Sequence, residues 1–549
     1  MEIFTHAVKG KYDLGDEEKE SGLRAFLWCL VSAFVIITIC SRSSFLYVFN
    51  LWDDANSYFT MGKSMFRGMV PYRDLFDQKG ILLYTIYGFA SLISPTTFLG
   101  VYIMEVIAAM LSLWAILKIY QLYLEPGAFP YILAPLTGAL IYSSWNFYWG
   151  GSAEEFLFPA IMWGLYLSLD YFRYRYPDPM DYKTVLAGGL LAGCVLHIKF
   201  NSLGLFFAWM MMVFFADIIG GKDVVKAFIS CFVFLGGMLA VTLPFLLYFG
   251  FNGAIDDWGY VYIYKNVFEY AKKLTFSERA AAFYDIMKNH VLNNFPVYVF
   301  ITIGILYFLT STISSYVPED INKKCRRDRF FVEMGIFELI NMGMLFAFLI
   351  IVMFSGGVSI LYYSFPINGF AVFGFVPICY IIEKLMQIRI EKKTHGRRYY
   401  GRVMEQGVAF VIALMGLIAT GFIVFAFSVN PKVMGLKSDQ LWLYKFRDYI
   451  RSTGVENPGV INENCFDAGL YTVLDVTPIC YYYQTQTLNM DEVLNVQKSY
   501  THSGEADFVL SRDVYPEGVS DYYSLVLTED IDIYEFKHTY YLYQRNAEE

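Results

Sequence analysis

The chain has 549 residues, of which 56% are hydrophobic and only 17% charged. A soluble domain carries about 25% charged residues; here apolar runs long enough to cross a hydrocarbon core recur instead, which excludes a soluble protein. The net charge of −9 is concentrated in the tail, where positions 431–549 hold 9 basic and 19 acidic residues; an acidic tail argues against nucleic acid and against docking on anionic lipid.

Residues 1–23 read as a cytoplasmic N-terminal tail. The run 24–49 is too long for a signal-peptide core and lacks a small-residue cleavage site after it, so it is predicted as a retained span. Further candidate spans fall at 97–117, 131–149, 155–172, 185–199, 201–219, 227–250, 293–316, 335–354, 361–384 and 407–428. One more run, 80–94, is short for a crossing. The basic loops are Lys118, Arg173/Arg175/Lys183, Lys222/Lys226, 323–329 (KKCRRDR) and 384–402. If 80–94 turns back as a re-entrant or interfacial helix, all of these fall on one side, the cytoplasm, and about 11 crossings result. The other side then receives the loop 51–80, the turn 150–154, the loop 251–292 and the tail 430–549. This divides the chain into a catalytic membrane module over 24–250, an extracytoplasmic loop over 251–292, C-terminal transmembrane helices over 293–428 and an extracytoplasmic domain over 430–549. In that domain 441–452 has a helical apolar pattern and 459–461, 508–510 and 540–543 read as short strands, a small α/β unit.

The polar stretch 51–80, LWDDANSYFTMGKSMFRGMVPYRDLFDQKG, stands out. Asp53 and Asp54 open it, and acids after a span are commonly solvated caps. Here, however, a second charged cluster closes the loop: Tyr72, Arg73, Asp74, Asp77 and Lys79. Between them Tyr58, Phe59, Met61, Met65 and Phe66 form an apolar stripe at helical spacing, which predicts an amphipathic helix lying on the membrane. A carboxylate held there can act as general base toward a hydroxyl. Glu154 and Glu155 start the span at 155–172, as a dipole-favoured cap or as a second wall of the same cavity. His197, Lys199 and Asn201 join two apolar runs with almost no linker; Lys199, like Lys79, is a cation of the kind a departing phosphate needs. Glu105 lies inside the second span, where an acid is a functional candidate by default; it either pairs with Lys79 or contributes to a metal site. Arg279 stands in the aromatic-rich loop 251–292, which either covers a substrate or anchors at the interface. Cys465 and Cys480 share the C-terminal segment, and their spacing neither requires nor forbids pairing. No CxxC or His-rich metal signature is present.

The block DDANSYFTMGKSMFRGMVPYRDLFDQKG resembles the first extracytoplasmic loop of bacterial GT-C fold glycosyltransferases, closest to the family of protein O-mannosyltransferases and aminoarabinose transferases of lipid A. The aromatic four residues on is Tyr58, which places Asp54 at the family's catalytic acid, with Asp53 beside it. Lys79 falls on the lysine that contacts the donor phosphate. AEEFLFP resembles the second acid motif and points to Glu154 or Glu155, and HIKFN resembles a further lysine motif and points to Lys199. The family's proline after Lys-Gly is Ile81 here. The motifs cover roughly 20–250, and 251–430 follows in hydropathy only. The tail stretch NENCFDAGLYTVLDVTP looks like the extracytoplasmic domains of related Gram-positive membrane proteins.

The resemblance implies a GT-C type, α-helical polytopic enzyme of the bacterial plasma membrane. It would move a sugar from a polyprenyl-phosphate donor to a cell-envelope acceptor (polymer, protein or lipid) with inversion. Asp54 would serve as base, Lys79, Lys199 and Arg279 would hold the phosphate, and Tyr58, Tyr72, Arg73, Asp74, Asp77, Glu154, Glu155 and His197 would line the cavity. Several acids on one face also suit a divalent metal (Mg or Mn), with Glu105 the candidate ligand, although no residue pattern specifies one. The alternative is a transporter or flippase for a lipid-linked glycan, which predicts inverted repeats and charges lining a path to both faces.

Overall fold

A computed structural model describes residues 22–124, 128–270, 273–316, 330–393, 406–485, 490–516, 518–533 and 536–547. Most of the N-terminal tail, the basic loop 323–329 and part of the loop 384–402 lie outside the described residues. The apolar runs fold as helices, as expected where the bilayer leaves backbone groups no partner but one another. In order they are α1 (Gly22–Cys40), α2 (Asp53–Phe66), α3 (Ile81–Ile93), α4 (Leu99–Tyr123), α5 (Ala128–Tyr142), α6 (Ala153–Tyr174), α7 (Tyr182–Ile198), α8 (Gly204–Ile219) and α9 (Val224–Phe251). Then come the short α10 (Ile255–Trp258), a π-helical turn (Gly259–Glu269), α11 (Phe276–Asn293), α12 (Phe295–Ser315) and α13 (Ile336–Phe354). A 3-10 segment (Leu361–Ala371) leads into α14 (Val372–Lys393), and α15 (Gln406–Phe427) ends the bundle. Among the described residues, 7 helices are long and apolar enough to cross a membrane, and the chain is a multi-pass membrane protein.

The helices depart from the predicted runs in four places, one of them the run 131–149, where α5 ends at Tyr142 and a 3-10 turn (Trp145–Phe147) follows. The first run stops being helical at Cys40, short of 49. Polar side chains turn the chain aside there: Ser41 donates to both oxygens of Glu105, Arg42 Nε donates to Asn430 Oδ1 (2.8 Å), and Ser44 Oγ donates to the Thr38 carbonyl (2.7 Å). The run 361–384 starts as a 3-10 helix with Pro366 inside it, where the missing N–H breaks the α-helical ladder. The predicted loop 251–292 is mostly helical, and its α11 starts at a capping box in which Thr275 and Glu278 each bond the other's backbone.

The C-terminal part has the predicted α/β build. It comprises α16 (Trp442–Ser452), β1 (Val460–Asn462), α17 (Leu470–Leu474), α18 (Met490–Ser503), β2 (Phe508–Arg512), β3 (Tyr523–Ile533) and β4 (Phe536–Arg545). The sheet order is β1-β2-β4-β3. β1 runs parallel to β2 (Val460 opposite Phe508), whereas β4 is antiparallel to both β2 and β3. β3 is a strand that sequence patterning missed; its exposed and half-buried positions do not alternate cleanly. Both Cys465 and Cys480 are free and buried.

α2 is also unlike its prediction. It does not lie open on a membrane surface: Ala55 through Ser64 are all buried, the polar Asn56, Ser57, Thr60, Lys63 and Ser64 included. α3 covers one side of it, and the C-terminal domain covers another.

Candidate active site

Neighbouring residues on an α-helix are about 100° apart, so Asp53 and Asp54 at the start of α2 face different partners. Asp53 shares a stripe with Ser57, Thr60, Lys63 and Arg67 (i, i+4, i+7, i+10, i+14), and this stripe meets the C-terminal domain. Arg512 Nη1 bonds both Asp53 oxygens (2.9 and 3.1 Å), and Ser57 Oγ lies 2.7 Å from Tyr483 Oη. Thr60 Oγ1 donates to Asp467 (2.5 Å), Lys63 Nζ to the Tyr471 carbonyl (2.9 Å), and Arg67 to Asp475 (2.6 Å). Burial pushes Lys63 down to about 8, with Asp475 opposing it, and pushes Asp467 up to about 6. It also raises the Asp53 carboxyl, against the pull of Arg512.

Asp54 shares the other stripe with Tyr58 and faces the helix bundle. Its carboxylate accepts from Tyr58 Oη (3.2 Å) and from Tyr362 Oη of the 3-10 segment (2.5 Å). Lys79 Nζ lies 5.6 Å from the centre of the Tyr58 ring. Lys199 Nζ lies 3.3 Å from the centre of the Tyr363 ring and 5.7 Å from that of Tyr362, and it donates to Glu154. Tyr270 Oη in turn touches Tyr363 Oη (2.9 Å). One carboxylate, two cations, a second carboxylate and a set of tyrosines thus converge at one end of the bundle.

Local sequence explains this convergence. The Gly80 amide donates to the Ile198 carbonyl (3.0 Å), and a Cβ on Gly80 would sit 2.1 Å from the His197 carbonyl oxygen. Only glycine lets the chain pass so close to the end of α7, and this contact sets Lys79 beside Lys199. α7 ends at Ile198, so Lys199 lies beyond it, in the turn to α8. Glu154 is in the first turn of α6, where Ser152 caps the helix by accepting from the Glu155 amide (2.9 Å). The preceding Gly150 and Gly151 both have φ of 86°, the left-handed region that favours glycine.

The charges are mutually tuned. Burial lowers Lys199 to about 8, with Glu154 opposing. Burial also opposes the charge on Lys79, but Asp54 and Asp77 outweigh it and lift Lys79 above the ordinary lysine range. Asp77 is itself raised by burial against Lys79; it is fixed by the Gln78 amide (2.7 Å) and lies 3.3 Å from Ser57 Oγ.

Other predicted site residues lie elsewhere. Tyr72, at φ 71°, donates to the Lys79 carbonyl (2.6 Å) and stacks near Tyr262, so it shapes the loop that carries Lys79. Arg73 and Asp74 pair with each other (2.7 Å) on the exposed side of that loop, where Asp74 accepts from the Val70 amide and Arg73 donates to the Asn252 carbonyl. His197 points at Thr242 (2.8 Å) and packs near Phe245 and Trp258, a core position away from Asp54. Arg279, on α11, donates to the Ser355 carbonyl, and none of its described contacts is with the cluster. Glu155 accepts from the Gly151 amide (2.8 Å) and bonds Glu105, which Ser41 also holds. Glu105 is therefore fastened behind the site and does not pair with Lys79. Among the described residues no group of three or more His, Cys, Asp or Glu could hold a metal ion.

No family model matches the chain, and no curated protein matches it in sequence. Among solved structures it is similar to ArnT from Cupriavidus metallidurans, determined with undecaprenyl phosphate bound; the likeness covers 95% of this chain and 98% of ArnT, with TM-score 0.56 and 11% identity. The chain has the GT-C fold. It is also similar, at TM-score 0.45 and 13% identity over 89% of its length and 69% of the other, to the archaeal oligosaccharyltransferase AglB from Archaeoglobus fulgidus, determined with an inhibitory peptide and a dolichol-phosphate.

Within this GT-C fold, sequence reasoning missed Tyr362, Tyr363 and Tyr270, and every contact from the C-terminal domain. A signal existed for the first two: LYYSFPINGF interrupts an apolar run with Pro, Asn, Gly and paired tyrosines, which disfavours a plain α-helical span.

Proposed function

We propose that this protein is a membrane glycosyltransferase that moves a sugar from a polyprenyl-phosphate donor to an acceptor hydroxyl with inversion. The juxtaposition of Asp54 with Lys79 and Lys199 at one end of the bundle carries the reading. The fold it shares with ArnT, whose structure holds undecaprenyl phosphate, supports a lipid-phosphate donor. The acceptor O–H proton passes to Asp54 while the oxygen attacks the anomeric carbon. The bond from that carbon to the phosphate oxygen breaks on the opposite face, and the phosphate leaves with the electron pair. Lys79 and Lys199 are the fixed cations for that developing charge, and in a water-poor site such preorganised charges are worth far more than in water. Tyr58 and Tyr362 orient the base. The loop 51–80 and the C-terminal domain face the outside of a bacterial plasma membrane, an orientation that the bias of the basic loops toward the other side supports, and the acceptor belongs to the cell envelope.

The test is Asp54→Asn, assayed in membranes with radiolabelled polyprenyl-phosphate sugars. Transfer is expected to fall by about 10²–10⁴, the usual contribution of a positioned base; full transfer overturns the assignment. For orientation, a cysteine in place of Arg327 should resist an impermeant thiol reagent added outside cells, and labelling there overturns it.

A further inference from the structure

We infer that Arg512, contributed by the C-terminal domain, is a positioning residue of the catalytic centre: it clamps Asp53 and leaves Asp54 as the one of the two adjacent aspartates that faces the substrates. The inference rests on the glycosyltransferase reading above. Two adjacent acids begin α2, and without further constraint either could swing toward an acceptor. The structure removes one of them. A single guanidinium nitrogen, Nη1, reaches both Asp53 oxygens at 2.9 and 3.1 Å, across 459 positions of sequence. Arg512 ends β2 opposite Tyr540 of β4, and its guanidinium lies 5.6 Å from the centre of the Phe466 ring. Both partners are largely shielded from solvent. The strand and ring fix the arginine, the arginine fixes Asp53, and the helical turn then fixes where Asp54 points.

The groups facing this pair are few. Asp53 is faced by Arg512, His538, Asp467, Cys465 and Tyr540 from the C-terminal domain and by Asp54 on its own helix. Arg512 is faced by Cys465 and Tyr540 as well, and by Asp513. Asp54 is faced by Tyr58, Tyr362, Lys79, Lys199 and Asp77, with Asp53 beside it. No other arginine or lysine bonds Asp53 among the described residues, so Arg512 is the main cation opposing its burial. Releasing it leaves the Asp53 carboxyl, already raised by burial, without its main opposing cation, so that it rises further.

The experiment is a cycle of Arg512→Gln, Asp53→Asn and the double variant in the full-length protein, assayed for transfer from a radiolabelled polyprenyl-phosphate sugar. Arg512→Gln is expected to lower kcat about 10–100-fold with the donor KM within about twofold, since misplacing a reacting group costs rate rather than binding. Its kcat–pH profile should show the Asp53 ionisation moved to higher pH than in wild type. Asp53→Asn should also lose rate, because it strands a buried cation, and the double variant should regain most of it and lose the shifted ionisation. Arg512→Lys keeps the charge and should restore the wild-type profile with part of the rate. If Arg512→Gln folds poorly, as judged by size exclusion in detergent, the Lys variant and the double variant still decide the matter. An Arg512→Gln penalty that is the same in wild type and on top of Asp53→Asn, or an unchanged pH profile, overturns the clamp. The two readings fail separately: no transfer by the wild-type protein sinks the transferase reading and full transfer by Asp54→Asn sinks the base assignment, whereas an inactive Asp54→Asn with a wild-type Arg512→Gln sinks the clamp alone.

Discussion

Lys199 gives the site an alkaline limit that can be worked from the structure. Burial holds this lysine at about 8, and its ion pair with Glu154 keeps it from falling further. A cation lowered in this way loses its proton as pH rises through about 8, so a phosphate that needs it is held on the acid side of that value and released on the alkaline side. A phosphate monoester with its second ionisation near 6 stays dianionic above about pH 7, and Lys79 is shifted in the other direction, so the dependence belongs to Lys199. If only the ammonium form binds, the competent fraction falls about tenfold between about pH 7 and about pH 9, and the affinity falls with it. Lys199→Arg, which stays charged throughout, should bind with no such slope. Glu154→Gln should move the fall to lower pH: a contact ion pair at an effective dielectric near 20 is worth up to about 4 kcal/mol, and after solvent screening a displacement of about 1–2 pH units is expected. The assay is the Kd of undecaprenyl phosphate in detergent, read by intrinsic fluorescence at stepped pH. A wild-type affinity that stays flat across that range, or the same slope in Lys199→Arg, refutes the reasoning.

Tyr362→Phe should leave Asp54 with Tyr58 as its remaining tyrosine partner and lower kcat about tenfold at unchanged donor Kd, since a hydrogen bond to a charged group is worth about 1.5–3 kcal/mol; steady-state kinetics check it, and wild-type kcat would count against an orienting role. Gly80→Ala places a methyl against backbone that cannot move aside, and should cost about 1–3 kcal/mol in a thermal unfolding assay, with an unchanged Tm contradicting the close approach. Asp467 is raised in the folded protein to about 6 from an ordinary value of 3.8. Its stabilising share is therefore complete below about pH 4 and lost as pH climbs through about 6. Asp467→Asn should flatten the dependence of Tm on pH across that window, and a retained slope would place the titration elsewhere.

Much of the site was legible because its charges are anomalous where they stand. Asp54, Lys79, Glu154 and Lys199 are ionisable groups at the ends of apolar runs, and bilayer physics makes such residues conspicuous. The separation of Asp53 from Asp54 was also legible in principle, since helical geometry alone sends adjacent side chains about 100° apart. Tyr362 and Tyr363 were hidden by hydropathy, which reads a tyrosine inside an apolar run as an interface anchor. His197 misled for the opposite reason: it sits two residues from Lys199, but α7 turns its ring toward Thr242. The environment of α2 was the least readable feature. Its stripe of Ser57, Thr60, Lys63 and Arg67 looks solvated in isolation, and the partners that bury it lie more than 400 positions away. No local pattern encodes a contact of that range.

That long-range contact explains why so polar a helix can be buried in a membrane protein at all. A lysine or threonine in a dry interior is costly unless paired, and each polar member of the α2 stripe has a specific acceptor or donor on the C-terminal domain. The opposite stripe carries Asp54 and Tyr58 and is left to face the lysines. The domain therefore does more than cap the bundle: it satisfies one side of a short helix whose other side bears the proposed base. A chain cut before Pro431 would expose Ser57, Thr60 and Lys63 and free Asp53 at once. The requirement to satisfy those groups ties the C-terminal domain to the bundle, and through Arg512 to the geometry of Asp54.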